Sequence, residues 1–129
     1  MIIVAALSGF LAVALGAFGA HGLKSVLAPD MMTVYQTGVE YHLTHSILWV
    51  LVSALSVLDS SNPWLKRSGV ALGVGILLFS GSLYLLTLTG MKSLGVITPF
   101  GGVSLLLGWL MLAVAGRKLL ALRAEEPGI

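Results

Sequence analysis

The chain has 129 residues, of which 57% are hydrophobic and only 9% are charged. A soluble domain carries about 25% charged residues, so this chain cannot cover itself with a polar, water-exposed surface. Four long apolar stretches and this low charge exclude a soluble enzyme, a nucleic-acid reader and a disordered chain. The net charge of +2 comes without any long basic run, and the absence of cysteine excludes thiol chemistry.

The first apolar stretch runs from Ile2 to about Ala20 and contains no charged residue. At about 1.5 Å per residue, roughly 20 helical residues cross a hydrocarbon layer about 30 Å thick. A cleaved signal peptide is the alternative, but the basic start of a signal peptide is missing, because Met1 is followed directly by Ile-Ile-Val. The small residues before His21 resemble a cleavage site only loosely. We therefore expect a retained membrane helix over 2–20.

The second apolar segment is preceded by a polar lead-in. Pro29 and Asp30 are typical of a helix start, so the sequence predicts a helix whose first part, 30–39, lies at the membrane interface. The same helix continues as a second span over 40–58. It ends at the turn-forming run Asp59-Ser60-Ser61-Asn62-Pro63.

Two further spans follow, over 69–89 and 98–116. Thr98 is predicted to cap the fourth helix, and Pro99 suits its first position because the N–H group that proline lacks would be unpaired there. Short connections make neighbouring spans antiparallel, and in lipid every backbone polar group must bond within a helix. The predicted fold is an all-α membrane protein, an antiparallel four-transmembrane-helix bundle that forms a single domain over 1–129.

Basic residues predict how the bundle lies in the membrane. With four spans, the N-terminus, the second loop and a polar tail from Arg123 onward share one side, and cytoplasmic loops are enriched in lysine and arginine. That side carries five basic residues against two on the other: Lys66, Arg67, Arg117, Lys118 and Arg123 against Lys24 and Lys92. We therefore expect both termini in the cytoplasm.

Small residues recur at four-residue spacing in three of the spans. Burial alone does not draw helices together in lipid, so close packing and interhelical hydrogen bonds must hold them. The predicted packing positions are Gly16 and Ala20 in the first span, Gly69 and Gly73 in the third, and Ser104 and Gly108 in the fourth. The glycine face of the third span continues through three hydroxyl residues that we expect to bond to a neighbouring helix: Ser80, Tyr84 and Thr87.

Ionisable residues inside a membrane are rare and costly, so each needs a partner or a role. The second span opens with Tyr41-His42-x-x-His45, and by helical rise His45 and Tyr84 lie at similar depth. We expect one polar cluster beneath the outer membrane surface, which is the candidate functional or structural site. Its predicted members are His21, Glu40, Tyr41, His42, His45, Ser80 and Tyr84.

Three interpretations of this cluster are open. Histidine binds metal ions and exchanges protons near neutral pH, so a metal site on His21, His42 and His45 and a proton relay are both chemically reasonable. Glu40, however, lies on a different face of its helix from both nearby histidines, which argues against a combined histidine and carboxylate ligand set. The favoured interpretation is structural, with histidines that hydrogen-bond across the bundle, and we predict neither a metal nor a cofactor.

Glu40 has no assigned partner. It can pair with Lys24 or Lys92, or it can lie against the start of the fourth helix, where unpaired N–H groups favour an anion. The residues of that helix start are Thr98, Pro99, Gly101 and Gly102. A clamp between the second and fourth helices is favoured over a site for a lipid phosphate.

A set of motifs occurs in fixed order along the chain. They are Gly16-Ala17-Phe18-Gly19-Ala20-His21-Gly22-Leu23, Tyr41-His42-x-x-His45, Phe79-Ser80-Gly81-Ser82-Leu83-Tyr84, Thr98-Pro99-Phe100-Gly101-Gly102 and Gly108-Trp109. On these motifs the chain resembles, from Ser8 to about Gly116, the membrane family called domain of unknown function 423, which includes transmembrane protein 256. The resemblance implies four membrane helices in a bacterial plasma (inner) membrane or a eukaryotic organelle membrane, and it implies no activity.

The expected function is not enzymatic, because the spans hold too few ionisable groups for a membrane catalyst. A serine such as Ser80 or Ser82 beside His45 is the arrangement that an enzyme would need. We predict a small structural or accessory subunit that packs, within the lipid bilayer, against itself or a larger membrane complex and has no nucleic-acid partner. The alternative is a channel or transporter for protons, ions or small solutes that uses the polar cluster.

Overall fold

The computed structural model describes residues 1–125, without the side chains of Leu122, Arg123 and Glu125. Four helical segments of this part are long and apolar enough to cross a membrane. The α-helices are α1 (Ile2–Phe18), α2 (Pro29–Leu58), α3 (Pro63–Thr89) and α4 (Thr98–Glu125). A π-helical turn at Gly19–Leu23 continues α1, and a 3-10 helix at Lys92–Val96 precedes α4. The fold is the predicted all-α membrane protein with four spanning helices.

Proline, asparagine and glycine determine where the helices begin and end. Pro29 and Pro63 occupy the first turns of α2 and α3, where their missing N–H groups cost nothing. Asn62 caps α3, since its side-chain oxygen accepts a hydrogen bond from the backbone N–H of Trp64. Gly90 ends α3 with a φ of 73°, a left-handed conformation that glycine adopts without strain.

The helices α2, α3 and α4 are longer than the apolar spans predicted within them. α2 is one helix of 30 residues, so the predicted interfacial start and the second span form a single continuous rod. α3 begins at Pro63 and therefore includes Lys66 and Arg67, which precede the predicted span. α4 continues to Glu125, past the point where the sequence predicts a polar tail, whose residues 126–129 lie outside the described residues. Hydropathy locates the part of a helix that lies in lipid, whereas a turn or a cap ends the helix itself.

The helices pack in chain order. α1 packs chiefly on α2, α2 on α3, and α3 on α4. The hydrophobic core lies among the last three helices and consists of Leu48, Val52, Leu72, Ile76 and Leu105. This order leaves one groove between α1 and α3 and another between α2 and α4.

One end of the bundle carries most of the basic residues. Lys118 on α4 donates a hydrogen bond to the carbonyl oxygen of Ser61 in the α2–α3 loop, so the loop and the distal part of α4 lie together. In the same loop the Ser61 hydroxyl donates to Asp59 and lowers the pKa of that carboxyl group. We call this the basic end of the bundle, after Lys66, Arg67, Arg117 and Lys118.

Serine hydroxyls and a close backbone approach hold α3 against α4. Ser68 on α3 donates to the carbonyl oxygen of Gly108 at 2.7 Å, and Ser104 on α4 donates to the carbonyl oxygen of Ala71 at 2.8 Å. Further along, Gly101 lies directly on the backbone of Phe79. Bonds to a neighbouring backbone require helices this close, which only small residues at the contact allow.

The other two helix pairs meet through glycine and an aromatic ring. The Trp49 ring on α2 covers Gly73 of α3, where a side chain would stand 2.7 Å from the indole. At Gly69 the Met1 side chain lies closest, with the edge of the Trp49 ring beside it. On the α1 segment, Gly19 accommodates the ring of Tyr35 in the same manner. Two further positions predicted to pack behave differently from each other: Gly16 contacts Val39, whereas Ala20 is exposed.

The approach of α4 to α3 at Gly101 gives a testable prediction. A methyl group at this position would overlap the Phe79 backbone, which cannot rotate away as a side chain can. We expect Gly101→Ala to lower the free energy of unfolding by about 1–3 kcal/mol, the usual cost of overpacking, as measured by denaturation in detergent followed by circular dichroism.

The matched control is Gly81→Ala on α3. A Cβ atom at Gly81 would have no neighbour within 4 Å, and alanine favours a helix more than glycine does. This variant should be as stable as the parent or slightly more stable. Equal destabilisation by both substitutions would show that the loss at Gly101 has a cause other than contact with α3.

Candidate functional site

His42 lies near the middle of α2, and its imidazole bonds to two other helices. Its Nδ1 atom is 3.0 Å from the hydroxyl oxygen of Tyr84 on α3, and its Nε2 atom is 3.1 Å from Oγ of Ser8 on α1. Ser8 Oγ lies in turn 2.7 Å from Oγ of Ser46, back on α2. One buried imidazole therefore joins three of the four helices.

The chemistry of the imidazole restricts how these bonds can be arranged. A neutral imidazole has one donor nitrogen and one acceptor nitrogen, while each hydroxyl both donates and accepts. If Tyr84 donates to Nδ1, His42 donates from Nε2 to Ser8, which then donates to Ser46. The reverse order satisfies the same atoms. The chain of Ser46, Ser8, His42 and Tyr84 is thus continuous in either direction.

His45 lies one turn further along α2 and bonds to a different helix. Its Nδ1 atom is 2.7 Å from the carbonyl oxygen of Tyr41, which can only accept, so Nδ1 carries the proton. Nε2 then accepts a hydrogen bond from the indole N–H of Trp109 on α4, at 3.3 Å. These two partners together define one tautomer of His45, with its proton on Nδ1.

Aromatic rings from three helices lie around the neighbouring side chains of Tyr41 and His45. The Tyr41 ring stacks on Phe79 of α3, with centroids 4.5 Å apart, and on His45, with centroids 5.6 Å apart. His45 meets the Trp109 ring edge to face at 6.4 Å. Together these rings form a wall of a groove of about 540 Å³ that we call the α2–α4 groove. Its lining residues are Glu40, Tyr41, Thr44, His45, Phe79, Gly102, Leu105, Leu106 and Trp109.

The second groove lies between α1 and α3 and has a volume of about 450 Å³. Ser8, His42 and Tyr84 contribute the hydroxyl and imidazole part of its lining, which is otherwise mainly apolar. The two buried histidines thus line two different grooves, although only two residues lie between them on α2. Each groove contains hydrogen-bonding groups beside a large apolar surface.

The members of the predicted polar cluster are distributed over both grooves and beyond them. His42 meets Tyr84, and His45 meets Tyr41, whereas His21 is exposed in the π-helical turn that follows α1. Within residues 1–125, no three histidine, aspartate or glutamate side chains lie close enough to hold one metal ion. The three histidines that the sequence suggested as metal ligands therefore lie too far apart to bind one ion together.

Ser80 and Glu40 stand in contrasting environments. Ser80 is buried on α3, and its hydroxyl has no hydrogen-bond partner among the described residues. Glu40 is exposed on α2 and lies at the rim of the α2–α4 groove, which Gly102 of α4 also lines. The described residues that line this groove include neither Lys24 nor Lys92, the lysines offered as partners of Glu40.

The start of α4 bonds to α3. The hydroxyl of Ser82 donates to the carbonyl oxygen of Phe79 at 2.9 Å, so Ser82 accepts the hydrogen bond from the Thr98 hydroxyl, 2.7 Å away. Pro99, the second residue of α4, is exposed. Thr98 therefore connects the first turn of α4 to the neighbouring helix through its side chain.

Two participants in these contacts have little signal in the sequence. Ser8 is a single hydroxyl within an uncharged helix, and only the antiparallel register of α1 and α2 brings it level with His42. Tyr35 donates to the carbonyl oxygen of Leu15 at 2.7 Å, and its ring lies 5.3 Å from that of Tyr84. The sequence feature that could have indicated Tyr35 is the small residue Gly19 in the preceding segment, because a large ring on one helix packs against a small residue on the next.

The bond between Tyr84 and His42 predicts a loss of stability when the hydroxyl is removed. Tyr84→Phe keeps the ring and deletes the bond, so we expect the free energy of unfolding to fall by about 0.6 kcal/mol and by at most about 1.7 kcal/mol. Unfolding in mixed detergent micelles measures this change. Tyr41→Phe is the control, because Tyr41 contacts its neighbours through its ring and its carbonyl oxygen. An equal loss of stability in this variant would contradict the assignment of the bond to Tyr84.

The bond between Trp109 and His45 predicts a spectroscopic change. The chain has three tryptophans, so its indole N–H groups can be resolved by nitrogen-15 NMR. His45→Ala should shift the indole resonance of Trp109, because the proton loses its imidazole acceptor. Trp64, at the start of α3, is the internal control, and an unmoved Trp109 resonance would show that the bond is absent in solution.

Comparisons with known proteins give consistent matches. A family model described as protein of unknown function (DUF423) matches residues 15–102. The chain is 43% identical to the UPF0382 membrane protein YwdK of Bacillus subtilis, over 92% of this chain and 97% of that protein. It is 43% identical to the UPF0382 inner membrane protein YgdD of Escherichia coli, over 100% of this chain and 94% of that protein. No solved structure matches the chain.

Proposed function

Because the chain belongs to the DUF423 family, whose members compared above are named membrane proteins, we propose that it is a structural or accessory protein of the bacterial inner membrane. In this proposal the protein is a compact four-helix unit without enzymatic activity that packs against itself or against a larger membrane complex. The name of the Escherichia coli relative, an inner membrane protein, supports the location.

The observation that carries this proposal is the hydrogen bonding of the two buried histidines. Both ring nitrogens of His42 and both of His45 are within hydrogen-bonding distance of other groups of the protein. A histidine that acts on a substrate needs a ring nitrogen within reach of it. These imidazoles instead join helices, which supports a function based on packing.

The exposed surface of α1 supports assembly with another helix. Within α1 only Ala5 and Ala12 are buried, while large apolar residues such as Ile3 and Phe10 are more than 70% exposed. Lipid tails can cover such a surface, but so can an apolar helix that offers small residues for close contact. α1 is therefore the helix that we propose as the assembly surface.

The distribution of charge supports an orientation for the proposed inner membrane protein. The basic end brings together the α2–α3 loop and the distal part of α4, and lysine and arginine are retained on the cytoplasmic side during insertion. We propose that this end faces the cytoplasm. Both chain termini lie on that side in this arrangement.

The hydrogen-bonded chain through His42 favours proton movement as a second candidate function. Ser46, Ser8, His42 and Tyr84 form a continuous series of groups that both donate and accept protons. Such a series can pass a proton by successive exchange within the membrane. This is the specific observation behind the alternative of proton, ion or solute transport.

The variant His42→Ala distinguishes the two functions. If the protein acts by packing, this substitution removes the bonds from His42 to α1 and α3. We then expect a lower melting temperature in detergent and less of any assembled species in native mass spectrometry. Proton flux into proteoliposomes should not change. His21→Ala is the control, since His21 is exposed, and it should alter none of these measurements. An unchanged melting temperature together with an altered proton flux would overturn the packing function in favour of transport.

A further inference from the structure

The packing of α2 on α1 indicates how deep in the membrane the carboxyl group of Glu40 lies. Its neighbour Val39 lies against Gly16, which belongs to the uncharged run Ile2–Ala20. At 1.5 Å per residue, Gly16 is about 6 Å further into the membrane than Ala20. The Glu40 side chain is nevertheless exposed on the side of the bundle. A carboxyl group thus lies at the outer end of the predicted second span, which begins at residue 40, and outside the packed core.

A carboxylate on an exposed face of an apolar helix is stabilised by a compensating charge. Ionisable groups inside a membrane normally pair with an opposite charge, face a cavity or mark the path of a ligand. Glu40 borders two openings, the α2–α4 groove and a smaller one between α1 and α2, and the described residues that line them include no lysine or arginine. The walls around Glu40 therefore leave a place for a positive charge from another molecule.

The aromatic residues of the α2–α4 groove complement the same charge. Tyr41, Phe79 and Trp109 all line this groove, and the face of an aromatic ring attracts a cation within about 6 Å of its centroid. Leu105 and Leu106 make the remaining wall apolar. The volume of about 540 Å³ is within the range of sites for small organic ligands.

We propose that the α2–α4 groove binds a lipophilic organic cation, that is, an amine or quaternary ammonium compound with apolar substituents. The carboxylate of Glu40 pairs with the positive centre, and the substituents lie against Phe79 and Trp109. Tyr41 and Trp109 are 41% and 47% exposed, so a ligand dissolved in the bilayer reaches the groove from the side. An anion of the same shape is repelled by Glu40. This inference does not depend on the proposed packing function.

Tetraphenylphosphonium is a suitable probe, because it is a lipophilic cation whose counterpart tetraphenylborate has nearly the same shape and the opposite charge. We expect saturable binding of tetraphenylphosphonium to the full chain in phosphatidylcholine nanodiscs, after subtraction of uptake by empty nanodiscs. Glu40→Gln should weaken this binding about tenfold or more, since it removes a charge in a region of low dielectric constant. Tetraphenylborate should not bind saturably.

Asp30→Asn is the matched control, because it removes a carboxylate from the first turn of α2 without touching the groove. It should leave tetraphenylphosphonium binding unchanged, and an unchanged melting temperature of Glu40→Gln would show that this variant is folded. As a second measurement, the probe should shift the indole resonance of Trp109 but not that of Trp64. The proposal is overturned if binding is not saturable, if Glu40→Gln binds within twofold of the parent, or if tetraphenylborate binds equally well.

Discussion

A polar side chain in hydrocarbon has no water to bond to, and this constraint accounts for how the helices are joined. Ser68, which is buried, and Ser104, which is partly buried, donate across the α3–α4 interface to backbone carbonyl groups of the opposite helix. Between α1 and α2, Tyr35 does the same with Leu15. The positions of these polar residues therefore determine which parts of the helices must touch.

α2 forms side-chain hydrogen bonds to each of the other three helices. Through His42 it bonds to Ser8 on α1 and Tyr84 on α3, and through His45 it bonds to Trp109 on α4. α1 packs chiefly on α2, so its place in the bundle depends strongly on the first of these imidazoles. The two histidines act at neighbouring turns but serve different pairs of helices.

The four spans and the class of fold were predictable because hydropathy and turn residues report directly on membrane crossing. The ends of the helices were harder to predict. The helix α3 begins at Pro63 because Asn62 caps it, and the charged side chains of Lys66 and Arg67 do not interrupt it. Local caps therefore decide these boundaries more than the hydrophobicity of the segment does.

The polar residues of the site could be named from the sequence, but their partners could not. Helical spacing places His42 and His45 on neighbouring parts of one face, and it cannot say which helix lies opposite each ring. The bond from Ser8 to His42 depends on the register of α1 against α2, and that register follows from contacts such as Gly16 on Val39 and Gly19 on Tyr35. Three-dimensional packing supplies this information.

Both serine hydrogen bonds between α3 and α4 are accepted by main-chain carbonyl oxygens, and this affects which residues can change among homologous chains. A carbonyl oxygen exists at position 71 whatever amino acid stands there, so Ala71 can be exchanged for residues of fitting volume without loss of the bond from Ser104. Gly108 is more restricted, because Leu72 occupies the space where a side chain would be. Homologous chains can therefore vary at position 71, whereas the two hydroxyl donors, the glycine that admits Leu72 and Gly101 on the Phe79 backbone are more restricted.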